Sequence, residues 1–125
     1  MSQRNKRQFG VWIDTHHATV VGRANADLSN FSVLGNVVNA GAQSNSNEKN
    51  AQNDAKTLQV KFFKEITAHM PNAEEVHVTG TGTSQEQLMR YMKETPQFKN
   101  TITTESTSNK MSDKKLVEYI GAKFN

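Results

Sequence analysis

Two strand-like segments on either side of a long polar stretch constrain the fold of this chain most. Residues 9–14 read Phe-Gly-Val-Trp-Ile-Asp, and residues 76–79 carry Val76 and Val78 directly before a glycine-containing loop. Residues dense in β-formers indicate strands, and a glycine loop followed by helix-forming residues indicates a strand-to-helix turn. Residues 36–57, between them, hold few large apolar side chains. This order predicts a packed sheet domain from which a polar segment projects.

Periodicity supplies the remaining elements. Residues 18–22 and 30–38 are the next strands of a three-stranded meander, with Gly35 marking a bulge. Apolar residues at helical spacing predict a long helix that Pro71 stops near Met70. A strand at 75–79, a helix capped by Ser84 with Gln87, a strand at 101–105 and a helix capped by Ser112 follow. The order predicts an α/β fold with a mixed five-stranded sheet, in which an antiparallel meander precedes βαβα units, as in ribonuclease H-like folds.

Length and composition limit the class of protein. At 125 residues with no cysteine, the chain is one domain long and has no disulfide framework or cysteine-zinc site. We expect residues 1–7 to form a basic flexible tail and residues 8–125 a single domain. Because no apolar run is long enough for a bilayer and no signal core follows the basic start, we expect a cytoplasmic protein without a membrane partner. The net charge of +3 is compatible with an anionic partner such as RNA.

The glycine loop is a candidate anion-binding site. It comprises Gly80, Thr81, Gly82, Thr83 and Ser84. Backbone N–H groups at such a helix start hold anions, including phosphates. The loop has neither the Walker lysine nor the third glycine of a dinucleotide fingerprint, so a tight structural turn is the alternative.

Asp14 is a candidate catalytic carboxylate, because a ribonuclease H-like nuclease places a metal ligand on its first strand. The alternative is a hairpin-turn residue that accepts hydrogen bonds from nearby backbone N–H groups. Glu74 and Glu75 precede the fourth strand and would lie at its opposite end. Adjacent His16 and His17 face opposite ways, so the sequence predicts neither a metal site nor a cofactor.

Together, these segments resemble the middle domain of the class-1 eukaryotic and archaeal peptide release factors and of Pelota. In that family, a loop carrying Gly-Gly-Gln follows the meander and precedes the long helix. Here the corresponding residues are Gly41, Ala42 and Gln43. The resemblance implies that Gln43 is a candidate for positioning water at the ester of peptidyl-tRNA. Alanine resists backbone angles that glycine permits, so Ala42 implies weak hydrolysis or none.

The main functional prediction is a ribosome- or tRNA-associated binding protein, more a binding domain than an enzyme. Its RNA contacts would come from Gly41, Ala42 and Gln43 and from the basic cluster Arg4, Lys6 and Arg7. No DNA partner is expected, and the sequence leaves the oligomeric state open. Three alternatives stay open: a residual peptidyl-tRNA hydrolase using Gln43, a metal-dependent nuclease using Asp14, and a small-ligand or protein-interaction module using the glycine loop.

Overall fold

The structure is a computed structural model that describes residues 7–23, 31–39 and 51–124, with side chains throughout except at 51–56. Five strands and three α-helices follow one another along this part of the chain. In chain order they are β1 (Gln8–Ile13), β2 (His17–Gly22), β3 (Ser32–Val38), α1 (Ala51–Ala68), β4 (Glu75–Gly80), α2 (Thr83–Lys93), a 3₁₀ turn (Pro96–Phe98), β5 (Ile102–Thr107) and α3 (Asp113–Phe124).

The strands form one mixed sheet in the order β3-β2-β1-β4-β5. β1 pairs antiparallel with β2 and β2 antiparallel with β3, which makes the predicted meander. β4 joins the other side of β1 in parallel, and β5 adds in parallel to β4. The predicted α/β class, the five-stranded mixed sheet and the ribonuclease H-like layout are confirmed.

Alternation along β1 divides its side chains between two faces. Phe9, Val11 and Ile13 pack under α1 and α2 in the larger core, whereas Trp12 packs under α3 in the smaller one. Gly10 lies on the α3 face, where an added Cβ would overlap the side chain of Ile120. The missing side chain therefore allows α3 to approach the sheet closely.

The predicted bulge in the meander is present. Val20 pairs with Gly35 and Val21 with Val33, so Leu34 is the extra residue of β3. The cap predicted for α3 is also present, because the Lys115 N–H donates to Ser112 Oγ at 3.2 Å.

The cap predicted for α2 is wrong. The N-cap residue is Gly82, with φ 101°, and Ser84 is a buried residue of the first turn. The Gln85 side chain accepts a hydrogen bond from the Gly82 N–H at 3.3 Å. Gln87 is exposed and reaches α1 instead of the cap. β5 also begins and ends later than predicted, at Ile102 and Thr107.

We predict that Gly80→Ala destabilises the protein by about 3 kcal/mol or more, because an added Cβ would overlap the carbonyl oxygen of Ile13. Gly82→Ala is the comparison, since nothing lies near its Cβ position and only the left-handed φ resists the change. We expect that variant to lose about 1–2 kcal/mol. Urea unfolding measures both, and equal losses would contradict the close β1–β4 approach.

Candidate functional site

A cleft with mixed polar and aromatic walls opens where β1 and β4 end. Because the two strands run in parallel, with Ile13 beside Gly80, the turn after β1 and the start of α2 meet at the same edge of the sheet. The cleft has a volume of about 220 Å³. Its lining comprises Asp14, Thr15, Asn39, Gln59, Phe62, Phe63, Thr83, Ser84 and Gln87. Crevices at the carboxyl ends of parallel strands are the usual ligand sites of α/β sheets.

Asp14 organises the tight turn between β1 and β2. Its Oδ1 accepts hydrogen bonds from the backbone N–H groups of His16 and His17, both at 2.8 Å. The His17 Nδ1 lies 3.3 Å from the same oxygen. This is the turn-forming role that the sequence offered as the alternative to catalysis, and Asp14 also lines the cleft.

The start of α2 forms the wall opposite Asp14. Thr83 is exposed and Ser84 is buried, and both line the cleft. As first-turn residues they carry N–H groups without an intrahelical acceptor. Thr81, by contrast, donates its N–H to the Ile13 carbonyl at 3.4 Å. Anion binding by the Gly80–Ser84 loop stays a prediction.

Asn39 fixes the point at which the chain leaves β3. Its N–H donates to the His16 carbonyl at 2.8 Å, and its Nδ2 donates to the Thr15 carbonyl at 2.9 Å. Asn39 itself lines the cleft, and residues 40–50 connect it in sequence to Ala51. Gly41, Ala42 and Gln43 belong to this segment and lie outside the described residues, so their predicted roles stay predictions.

A glutamine pair that sequence reasoning missed bridges the two helices beside the cleft. Gln59 on α1 donates its Nε2 to Gln87 Oε1 on α2 at 3.0 Å. One turn further along, the rings of Phe63 and Tyr91 lie 5.4 Å apart. Exposed Lys64 and Arg90 follow on the same two helices. The glutamines are 28 residues apart in sequence, so no local pattern indicates the contact.

Arg7, the described member of the basic cluster, lies away from the cleft. It precedes β1 and lies at the opposite end of that strand, about 20 Å from Ile13 at about 3.3 Å per residue. Its backbone N–H donates to Glu74 Oε1 at 2.7 Å, and its Nε donates to the Pro71 carbonyl at 3.1 Å. Arg4 and Lys6 lie outside the described residues. The structure therefore does not bring Arg7 together with the cleft residues.

The described residues bring no second carboxylate to Asp14. Glu75 pairs with Gln8 at the far end of the sheet, as expected from the sequence. Within residues 7–23, 31–39 and 57–124, no three His, Asp or Glu side chains are grouped to hold a metal ion. Catalysis by Asp14 stays a prediction, and two-metal chemistry would need ligands beyond this group.

His77 belongs to a separate hydroxyl network on the α3 face of the sheet. Its Nδ1 lies 2.7 Å from Thr104 Oγ1, and its Nε2 lies 2.8 Å from Ser106 Oγ. Ser106 in turn bonds Tyr119 OH at 2.8 Å. Burial, and secondarily the Lys123 ammonium, lower the pKa of His77 below its ordinary 6.5. The imidazole is therefore neutral at neutral pH.

These elements define an α/β domain of ribonuclease H-like layout with a cleft at the carboxyl ends of its parallel strands. No protein-family model matches the chain, and no curated protein matches it significantly by sequence. Among solved structures, the fold is similar to the Pelota protein of Thermoplasma acidophilum, at 14% identity and a TM-score of 0.64 over 99% of this chain. It is also similar to the archaeal translation termination factor aRF1, at 11% identity and a TM-score of 0.56 over 93%.

The fold is thus like that of the middle domain of Pelota and aRF1, as the sequence resemblance implied. The chain spans about a third of the length of both structures, 36% of Pelota and 34% of aRF1. In the ranges that the structure covers, no helix is long and apolar enough to cross a membrane.

We predict that Asp14→Ala destabilises the protein by about 1–3 kcal/mol, because the N–H groups of His16 and His17 lose their acceptor. In Asp14→Asn the amide oxygen still accepts these bonds, so we expect a loss below about 1 kcal/mol. Urea unfolding distinguishes the variants. A metal-dependent cleavage of RNA that Asp14→Asn abolishes without loss of stability would instead support the nuclease alternative.

We predict that stability falls as the pH drops below the ordinary His77 pKa of 6.5. The His77 side chain binds a proton more readily in the unfolded chain than in the folded protein. The stability contributed by neutral His77 is therefore fully present above pH 6.5 and is lost as the pH falls toward the lowered pKa of the folded state. Unfolding free energies between about pH 8 and about pH 5 measure the slope. We expect His77→Gln to flatten the dependence of stability on pH, and His16→Gln, at an exposed turn, to change that dependence less. An unchanged slope in His77→Gln would show that His77 is not the source of the pH dependence.

Proposed function

We propose that this protein is a release-factor-like, translation-related domain that binds the ribosome or tRNA without efficient hydrolysis. The observation that supports it most is the shared fold with aRF1, a translation termination factor, over nearly the whole chain. Within that fold, the segment carrying Gly41, Ala42 and Gln43 connects β3 to α1, the position that the family gives to its Gly-Gly-Gln loop.

The cleft supplies a fitting surface for RNA beside that segment. Apart from Asp14, the polar residues of the described lining are uncharged, and Thr83, Gln59 and Gln87 offer hydroxyl and amide groups of the kind that hydrogen-bond phosphates, sugars and base edges. Lys64 and Arg90 add exposed cations further along the two helices.

Ala42 supports binding without efficient hydrolysis. A side chain at the position of the family's second glycine restricts the backbone angles by which the loop would position water. Incubation with peptidyl-tRNA tests this directly, and we expect no turnover above buffer. Turnover that disappears in Gln43→Ala would overturn this part of the proposal and establish the hydrolase alternative.

We predict that Thr83→Asp weakens co-sedimentation with ribosomes about three- to tenfold, because it adds a negative charge at the cleft wall next to RNA phosphates. Asn100→Asp makes the same charge change at the opposite end of the sheet, and we expect it to bind within about twofold of the unchanged protein. Sucrose-gradient sedimentation at low and high salt measures both.

Protein that stays in the top gradient fractions even at low salt would contradict ribosome binding. Equal weakening by Thr83→Asp and Asn100→Asp would contradict the placement of the contact in the cleft. The unfolding free energy of each variant serves as the control for folding.

A further inference from the structure

β5 forms an open edge of the sheet within the described residues. The Ile102 N–H donates to the Glu74 carbonyl at 3.0 Å, and the Ser108 N–H donates to the Gly80 carbonyl at 2.8 Å. In a parallel ladder these bonds alternate along the strand. The backbone N–H and C=O groups of Thr103 and Glu105 therefore point outward from the sheet, where no described strand pairs with them.

This edge lacks three devices that prevent strand pairing, namely a proline, a lysine and a bulge, although it carries one charged residue, Glu105. Its sequence, Ile-Thr-Thr-Glu-Ser-Thr, contains no proline and no lysine, and its pairing with β4 has no register shift. Edge strands that stay single typically use these features or a bulge. β3, the other edge, carries a bulge at Leu34. Of the two edge strands, β5 therefore has the more regular backbone for pairing with another strand.

The charges beside β5 differ between its two ends: Glu86 and Glu105 lie at the carboxyl end, whereas Lys93, Glu94 and Lys99 lie at the amino end and sum to a net positive charge. Gln85 on α2 donates to Glu105 Oε2 at 3.1 Å, so the first turn of α2 lies at the carboxyl end of β5, and Glu86 is exposed there. Lys93, two turns later on the same flank of α2, lies toward the amino end, as does Lys99 before the strand. In the part of the chain that the structure covers, none of these three exposed side chains has an ion-pair partner.

A groove accompanies the basic end of the edge. It has a volume of about 630 Å³, and Lys93, Lys99 and Thr103 contribute to its walls. The buried side chains of Met92 and Phe98 also contribute to its lining. Thr103 pairs with Val76, which belongs to the core under α1 and α2, so its side chain points to the same face as the groove.

We propose that a second copy of this chain binds here, by antiparallel pairing of β5 with β5 and with Thr103 opposite Glu105 of the second copy. Thr103 and Glu105 both direct their backbone groups outward, so they form a hydrogen-bonded pair in this register. The same register keeps the two Glu105 carboxylates from facing each other, since like charges directly opposite are destabilising.

Charge complementarity favours a second copy over an unrelated strand. Antiparallel pairing brings Glu86 and Glu105 of one edge to Lys93 and Lys99 of the other, where Glu94 cancels one of the two positive charges. Glu105 of the second copy would lie beside Thr103 at the groove. One pair of six-residue strands and two helix flanks make a small contact. We therefore expect a dissociation constant for the dimer in the micromolar range or weaker.

Sedimentation velocity from about 5 µM to about 500 µM tests the pairing, and we expect a monomer–dimer equilibrium that raised salt weakens. Glu86→Lys and Lys93→Glu should each weaken dimerisation about tenfold by placing like charges opposite each other. The double variant Glu86→Lys with Lys93→Glu restores the complementary pairs, and we expect recovery to within about threefold of the unchanged protein.

Glu118→Lys is the matched control, because it makes the same charge change at an exposed position on α3, and it should leave dimerisation unchanged. Amide hydrogen exchange adds a second readout, with protection of Thr103 and Glu105 that increases with protein concentration. A monomer at every concentration, or a dimer without this protection or charge dependence, would overturn the proposal. The proposed dimerisation does not rest on RNA binding. A variant that loses dimerisation should still bind RNA, and a variant that loses RNA binding should still dimerise.

Discussion

The parallel pairing of β1 with β4 is the constraint on which the rest of the structure depends. The side chains of both strands are buried along nearly their whole length. Both are interior strands of the sheet, and each of the three α-helices packs on that sheet. The pairing needs a residue without a side chain at Gly80, where the carbonyl oxygen of Ile13 approaches. It also brings the Asp14 turn and the start of α2 to one edge, and that meeting creates the cleft.

The two faces of this sheet differ in chemistry. The α1 and α2 face holds the larger apolar core and ends in the cleft, whose walls combine Phe62 and Phe63 with amides, hydroxyls and the Asp14 carboxylate. The α3 face carries a polar network in which His77 binds hydroxyls of β5 and Ser106 reaches Tyr119. β5 is therefore held partly by side-chain hydrogen bonds, which suits a threonine-rich edge strand that buries little apolar surface.

Local patterns in the sequence predicted most of the fold, because each depends on neighbouring residues. β-Branched and aromatic residues indicated the strands, Pro71 the end of α1 and Ser112 the cap of α3, and Asp14 has the turn contacts expected of its position. The cap of α2 was wrong for a physical reason. The Gln85 amide nitrogen donates to Glu105 and Thr107 of β5, which lie 20 and 22 residues away in sequence. These bonds hold the Gln85 side chain where its oxygen accepts the Gly82 N–H at the start of the helix.

The site was less predictable than the fold. The sequence offered Asp14 and the start of α2 as separate candidates, and only the strand register shows that they share a cleft with Asn39. The Gln59–Gln87 bridge needs the packing of two helices, so no motif marks it. Arg7, grouped with RNA-binding residues on charge alone, lies at the other end of the sheet and bonds to Pro71 and Glu74.

Site-specific photo-crosslinking tests the central claim, that the cleft edge of this fold faces RNA. A photoreactive amino acid is placed at exposed Thr83 on the cleft wall or at exposed Asn100 at the far end, and the crosslinked RNA is sequenced after irradiation with native ribosomes. We expect the Thr83 protein to crosslink to ribosomal RNA or tRNA and the Asn100 protein to crosslink to little RNA. Crosslinks from Asn100 alone, or none to RNA from either position, would contradict it.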